Sequence, residues 1–328
     1  MGSLEPELQR LRRAIAEQDF ASYARSAHRL YRLLLAPVED RFAGRDLVIV
    51  PDGPLSTVPF EVLLKREVIP DTDPRELPSV LKDHAVSYAY SATVLLQGLR
   101  RHMGASPSDE FVAFAPVFAE GVAHPADSPR PLPASRKEAT DVRELFARRQ
   151  GLFGGWLSGR SRVYLGKDAT ESRLKSGGLE RYRYVHLATH GIVNEEHPGL
   201  SRLLLMPEAG SPEDGVLHLG EIYNLRLNAD LVVLSACETG RGRIARGEGI
   251  IGLTRGFLYA GAKSLLVSLW PVSDAATSGL VVDFYEELLG GRSKAQALRE
   301  AKLRTMARNP EYAKPYYWSS LVLVGQRK

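Results

Sequence analysis

Apolar positions recur every three or four residues at the start of the chain. Leu4, Leu8, Leu11 and Ile15 form one set, and Tyr23, Ala27, Leu30, Leu33 and Leu34 form a second. Residues 4–36 therefore predict two amphipathic helices, stopped by Pro37. The run Leu47-Val48-Ile49-Val50 predicts a buried strand, closed by the turn Pro51-Asp52-Gly53-Pro54. A helix over 61–65, a strand near 85–90 and a helix over 91–102 follow, and Gly104-Ala105-Ser106-Pro107-Ser108 reads as a boundary. A strand at 111–114 then enters the proline-rich stretch 115–133, whose length and composition predict a mobile surface loop. The expected division is a helical N-terminal unit over 1–105 and a larger unit over 106–328.

Beyond that loop, helical and strand patterns alternate. Helices are expected at 135–149, 171–175, 249–259, 274–289 and 293–307, and strands at 163–165, 184–188, 231–235, 263–269 and 320–324. Leu231-Val232-Val233-Leu234 and Leu265-Leu266-Val267 are continuously apolar, which requires burial on both faces. The expected fold class is α/β, a mainly parallel sheet sandwiched by helices. No internal repeat of about 20–50 residues is visible.

Composition narrows the function classes. The chain has 328 residues, 44% hydrophobic and 25% charged, which is ordinary globular usage and excludes wholesale disorder. Its one cysteine excludes an intrachain disulfide and structural zinc sites built on two or four cysteines, and fits a reducing compartment. No apolar run approaches the roughly 18 residues of a membrane span, and the N-terminus lacks a signal-peptide core, so a cytoplasmic location is expected. Arginines outnumber lysines 33 to 10, but they are scattered among acids, so no nucleic-acid partner is expected. Neither a phosphate-cradling glycine loop nor a His-Glu-x-x-His motif is present, and no metal or cofactor is implied.

Two expected strand ends carry reactive side chains, at the position where open parallel sheets bind ligands. One strand runs into Thr189-His190-Gly191, the other into Ala236-Cys237-Glu238-Thr239-Gly240. A thiolate at Cys237 is a nucleophile, and the His190 imidazole can take and return a proton. Backbone N–H groups of Gly191 and Cys237 could hold an oxyanion. Taken singly, a cysteine after an apolar strand is a small buried hydrophobe and a loop histidine is a hydrogen-bonder. Together, 47 residues apart, they favour a dyad. His186 competes for the histidine role, but it lies inside its strand, where burial is the expected fate.

The runs His186-Leu187-Ala188-Thr189-His190-Gly191 and Leu234-Ser235-Ala236-Cys237-Glu238-Thr239-Gly240 resemble the CHAT family of caspase-like cysteine proteases. Gly247-Glu248-Gly249, Phe257-Leu258-Tyr259-Ala260-Gly261-Ala262, Ser268-Leu269-Trp270-Pro271-Val272, Tyr316-Tyr317-Trp318 and Val50-Pro51-Asp52-Gly53-Pro54-Leu55 extend the resemblance over roughly residues 25–328. The histidine-to-cysteine spacing is also close to the roughly 50 residues of caspases. The resemblance implies a caspase-like fold with an N-terminal degenerate companion subdomain, and kinship with separases and gingipains. It implies a cysteine endopeptidase with Cys237 as nucleophile and His190 as acid/base, acting on a protein in a bacterial defence or programmed-death setting. A neighbouring-gene effector such as a pore-former is the expected substrate, with an activating partner alongside. Separase-like enzymes place an aspartate after the strand that follows the nucleophile, to receive a basic residue. Asp274 matches that place, although an aspartate opening a helix is also an ordinary cap. Glu238 and Glu248 are weaker pocket candidates. The alternatives are a catalytically silent interaction module and a thioester-forming small-molecule hydrolase. An arginine-directed enzyme is also expected to nick itself, within 239–249 or after Arg130.

Overall fold

The alternation of apolar runs and amphipathic helices builds one large sheet covered on both faces. The structure is a computed structural model in which residues 4–100, 106–118, 124, 129–152, 160–194, 196–235, 238–239, 248–270, 272 and 274–328 are described. In chain order the strands are β1 (Leu47–Ile49), β2 (Val86–Tyr88), β3 (Asp109–Ala115), β4 (Ser161–Leu165), β5 (Tyr182–Leu187) and β6 (Gly191–Val193). They continue as β7 (Arg202–Leu204), β8 (Val216–His218), β9 (Leu231–Leu234), β10 (Glu238–Thr239), β11 (Ser264–Ser268) and β12 (Leu321–Gly325). Eight of them form a sheet in the order β1-β2-β12-β11-β9-β5-β3-β4. Every pairing in it is parallel except β11 with β12. This is the expected mainly parallel α/β sandwich.

The strand register shows why the central strands are apolar throughout. Ala113, His186, Val233, Leu266 and Leu323 lie in one row across β3, β5, β9, β11 and β12. That row faces helices Pro133–Leu152 and Asp274–Leu289, where Phe111, Phe146, Tyr184 and Tyr285 form an aromatic cluster around His186. The next row, Phe114, Leu187, Leu234, Val267 and Val322, faces the opposite layer, which holds helix Glu248–Tyr259. His186 is thus a core residue, as its place within the strand implied.

Residues before 106 join the same core. Helices Leu4–Ala16 and Phe20–Leu34 pack on each other, the second capped by Asp19, which accepts from the Ser22 N–H at 3.1 Å. β1 and β2 continue the large sheet through β12. The expected helix at 61–65 is absent. Residues Phe60–Val62 form a single 3₁₀ turn, and Leu63 and Leu64 run extended to bridge Ser79. The reason is burial on all sides: Val62, Leu63 and Leu64 are each 0% exposed, so no helical stripe exists. Glu61 faces inward as well. Its Oε1 accepts from Lys302 Nζ at 2.7 Å and its other oxygen from the Tyr88 hydroxyl, which itself accepts the Phe60 N–H at 2.7 Å. Burial pushes the Lys302 ammonium below its usual pKa, and Glu61 pulls it partly back. This buried pair joins the N-terminal segment to helix Lys294–Arg308.

A second sheet, of order β10-β6-β7-β8, grows from the end of β5. The sequence pattern did not predict it. Its strands are two or three residues long.

Candidate active site

Neighbouring parallel strands end at the same pole, so the segments leaving β3, β5 and β9 must meet there. The Ala188 N–H donates to the Phe114 carbonyl at 3.0 Å and the Ser235 N–H to the Leu187 carbonyl at 3.3 Å, which carries the three chains out side by side. Thr189 donates its hydroxyl to the Leu204 carbonyl, and the Leu204 N–H donates to the His190 carbonyl at 2.9 Å. Gly191, buried, opens β6 opposite Leu203. The small sheet therefore fixes the backbone of His190 from both sides.

The His190 ring is 1% exposed. Its Nε2 lies 2.7 Å from the Arg130 carbonyl oxygen. A carbonyl can only accept, so this bond assigns the proton of the neutral ring to Nε2 and the lone pair to Nδ1. The orientation and tautomer of the His190 ring are thus set by a main-chain group. Phe118 packs on the other side, ring centroids 5.3 Å apart at 38°, and also meets His124 edge-on at 5.7 Å. Phe118 belongs to a small apolar cluster with Leu204 and Val216, flanked by Leu132, Ile192 and Met206.

For the described residues of 115–133, these contacts depart from the expectation of a mobile surface loop. Among its described residues, Phe118 and His124 are buried, His124 Nε2 donates to the Leu205 carbonyl at 2.7 Å, and the Leu132 N–H donates to the Val117 carbonyl at 2.7 Å. Buried Phe118 and His124 and the Leu132–Val117 backbone bond anchor these described residues. Val117 and Phe118 take positive φ angles of 69° and 47°, costly for side chains with a Cβ. Such strain persists where surrounding contacts over-determine it. Arg130, one of the expected self-cleavage points, gives its carbonyl to His190.

Cys237 lies outside the described residues. The nearest described residues are Ser235, which is bonded to β5, and Glu238, which pairs with Ile192 of β6. Asp274 is the first residue of helix Asp274–Leu289 and Glu248 the first of helix Glu248–Tyr259. The side chains of Asp274, Glu248 and Glu238 lie outside the described residues, as does 240–247 of the expected self-processing segment. The strand end leading towards Asp274 is well anchored. Ser268 donates its hydroxyl to the Trp270 carbonyl at 2.7 Å, and the Trp270 indole donates to the Tyr316 carbonyl at 3.0 Å.

Among the described residues, Glu171, Glu213 and Glu221 form a carboxylate group with the spacing of a metal site. The Lys175 ammonium sits among them, 2.7 Å from Glu171 and 2.5 Å from Glu221, and also bonded to Glu213. Burial disfavours the Lys175 charge, but the three carboxylates outweigh it and raise its pKa. The cluster is a brace in which three carboxylates share one internal cation.

The fold is α/β, with a buried, hydrogen-bonded His190 at the pole where β3, β5 and β9 end. The family model described as CHAT domain matches residues 24–326, and the chain belongs to the CHAT domain family. With membership comes the caspase-like fold class that the sequence resemblance implied. Tetratricopeptide repeat protein 28 of Mus musculus is 26% identical over 351 residues, covering 90% of this chain and 13% of that protein. The Homo sapiens protein of the same name is 36% identical over 110 residues, covering 34% of this chain and 4% of that one. The chain thus spans a small part of the length of these relatives. Among solved structures it is similar to Saccharomyces cerevisiae separase in its complex with securin, with TM-score 0.47, 13% identity, and coverage of 85% of this chain and 15% of that one. It is also similar to the Arg-specific cysteine proteinase gingipain R, with TM-score 0.49, 7% identity, and coverage of 80% and 56%. Among the described residues no helix is long and apolar enough to cross a membrane.

Proposed function

We propose that the chain is a cysteine endopeptidase with Cys237 as nucleophile and His190 as general acid/base. The observation that supports this reading most is the buried His190 ring, held by the Arg130 carbonyl so that Nδ1 carries the lone pair. In the proposed reaction Nδ1 takes the thiol proton as sulfur attacks the scissile carbonyl carbon. The C–N bond breaks, the proton passes to the leaving amine, and an acyl-thioester remains. Water, deprotonated by the same nitrogen, releases the acid and restores the thiol. The N–H groups of Gly191 and Cys237 are proposed to stabilise the oxyanion. Asp274 is proposed to receive an arginine side chain before the cut bond, with Glu238 and Glu248 as lesser contributors. The substrate is proposed to be a protein, such as an effector encoded nearby in a bacterial defence setting, met in the cytoplasm.

A second reading is a silent interaction module, favoured by relatives named for repeats and not for an activity. Incubation with a proteome-derived peptide library, read by mass spectrometry, separates the two. The endopeptidase reading expects new termini after arginine with the wild type and none with Cys237→Ala. Equal profiles from both proteins would reject it.

A further inference from the structure

Beneath the active pole, the core holds a buried histidine–glutamate contact that the proposed chemistry does not use. His186 and Glu138 have side chains 0% and 2% exposed, with Nε2 lying 2.8 Å from Oε1. The contact is close but poorly aligned for a straight hydrogen bond. On its other edge, His186 Nδ1 faces the Tyr285 hydroxyl at 3.5 Å, and the two rings lie 5.9 Å apart. Burying a carboxylate and an imidazole among Phe111, Phe146 and Tyr285 is costly, and an apolar pair of similar volume would pack there without that cost. Stability alone gives no reason for it.

Its place in the chain does. His186 lies four residues before His190 on β5. Glu138 lies eight residues after Arg130, in helix Pro133–Leu152. From these two points both chains leave the core for the same pole, where they meet again at the His190–Arg130 bond. The upward path of the helix segment is short and stiff. Ser135 returns its hydroxyl to the Leu132 carbonyl at 2.7 Å, and the Leu132 N–H is tied to Val117. We propose that Glu138 is a positioning residue: by holding helix Pro133–Leu152 in register with β5 through His186, it sets where the Arg130 carbonyl stands and so which tautomer His190 adopts. A displacement of about 1 Å in a catalytic group costs roughly 100-fold in rate, so even a small slip of the helix would be felt.

This inference rests on His190 being the acid/base, so its test includes a reading that needs no substrate. Ring ¹⁵N signals of His190, assigned by comparison with His190→Gln, report the tautomer directly. The expected wild-type signal is a single Nε2–H form. Glu138→Ala should replace it by a tautomer mixture, and should lower kcat about 10- to 100-fold per folded molecule with KM unchanged. Glu138→Gln preserves length and a hydrogen-bonding oxygen, and should restore both. If Glu138→Ala does not fold, Glu138→Asp, shorter by one methylene, should give the same mixed tautomer. A His190 signal unchanged in the alanine or aspartate variant would overturn the proposal. So would a folded Glu138→Gln protein as perturbed as the alanine variant. Failure of the protease reading would look different: no cleavage by any protein, with the tautomer changes intact.

Discussion

Removing the cation from the buried Lys302–Glu61 pair should destabilise the protein severely. In Lys302→Met the methionine fills most of the space, but the Glu61 carboxylate, 1% exposed, keeps only the Tyr88 hydroxyl as partner. Breaking a buried pair in this way costs about 3–5 kcal/mol, because an uncompensated charge is left in the core. The pair joins residues 241 apart in sequence, so its loss should weaken attachment of the N-terminal segment to helix Lys294–Arg308 and not merely local packing. At roughly 2 °C per kcal/mol for a protein above 150 residues, Tm should fall by about 6–10 °C. Urea unfolding followed by circular dichroism supplies the free energy, and the double variant Lys302→Met with Glu61→Gln supplies the control. The amide that Glu61→Gln introduces can still accept from Tyr88 and carries no charge, so the double variant should recover at least about 2 kcal/mol relative to Lys302→Met. A single variant costing less than about 1 kcal/mol, or a double variant no better than the single, would refute the reasoning.

Burial pushes Lys294 down to a pKa of about 8, with Lys263 and Arg183 adding to the effect against Asp230. Its charge is penalised fully below that value, and the penalty fades as pH rises towards the usual lysine value of 10.5. The stability of the wild type relative to Lys294→Met should therefore increase between pH 7.5 and 9.5, and parallel urea midpoints would contradict this. Phe118→Ala should cost about 3 kcal/mol in unfolding free energy, since it empties the cluster against His190. It should also lower peptide cleavage per folded molecule; full activity would show that the ring does not support the base. Asp274→Asn should cut cleavage after arginine by an amount equivalent to about 2–5 kcal/mol while changing stability by less than about 1 kcal/mol. The reverse pattern would identify a helix cap.

What the sequence revealed follows from how strongly each element is determined locally. β9 and β11 are buried along their whole length, and their short apolar runs flanked by turn signals fit strands covered on both faces. The two N-terminal helices carry periodic stripes of ordinary length. The small sheet was missed because strands of two or three residues have no period. Their positions depend on long-range bonds such as Leu204 to His190. Residues 61–65 misled for a related reason, since a fully buried extended segment and a helix turn look alike over five positions. His190 and its distinction from His186 were legible, because one lies inside an apolar strand and the other just past it. The Arg130 carbonyl was not, since a main-chain acceptor leaves no trace in residue identity. The signal available was topological: β3 is the neighbour of β5, so the segment after β3 must cross the pole where His190 sits.

Because the chain has a single cysteine, one measurement reads the central pairing without knowledge of any substrate. The rate of alkylation by iodoacetamide, followed by intact mass across pH 5–10, reports the thiolate of Cys237 alone. If Cys237 and His190 act as one unit, the wild-type rate should rise with an apparent pKa below the roughly 8.5 of an ordinary thiol. In His190→Ala that inflection should move to 8.5 or above. Coincident pH–rate curves for the two proteins would contradict the dyad.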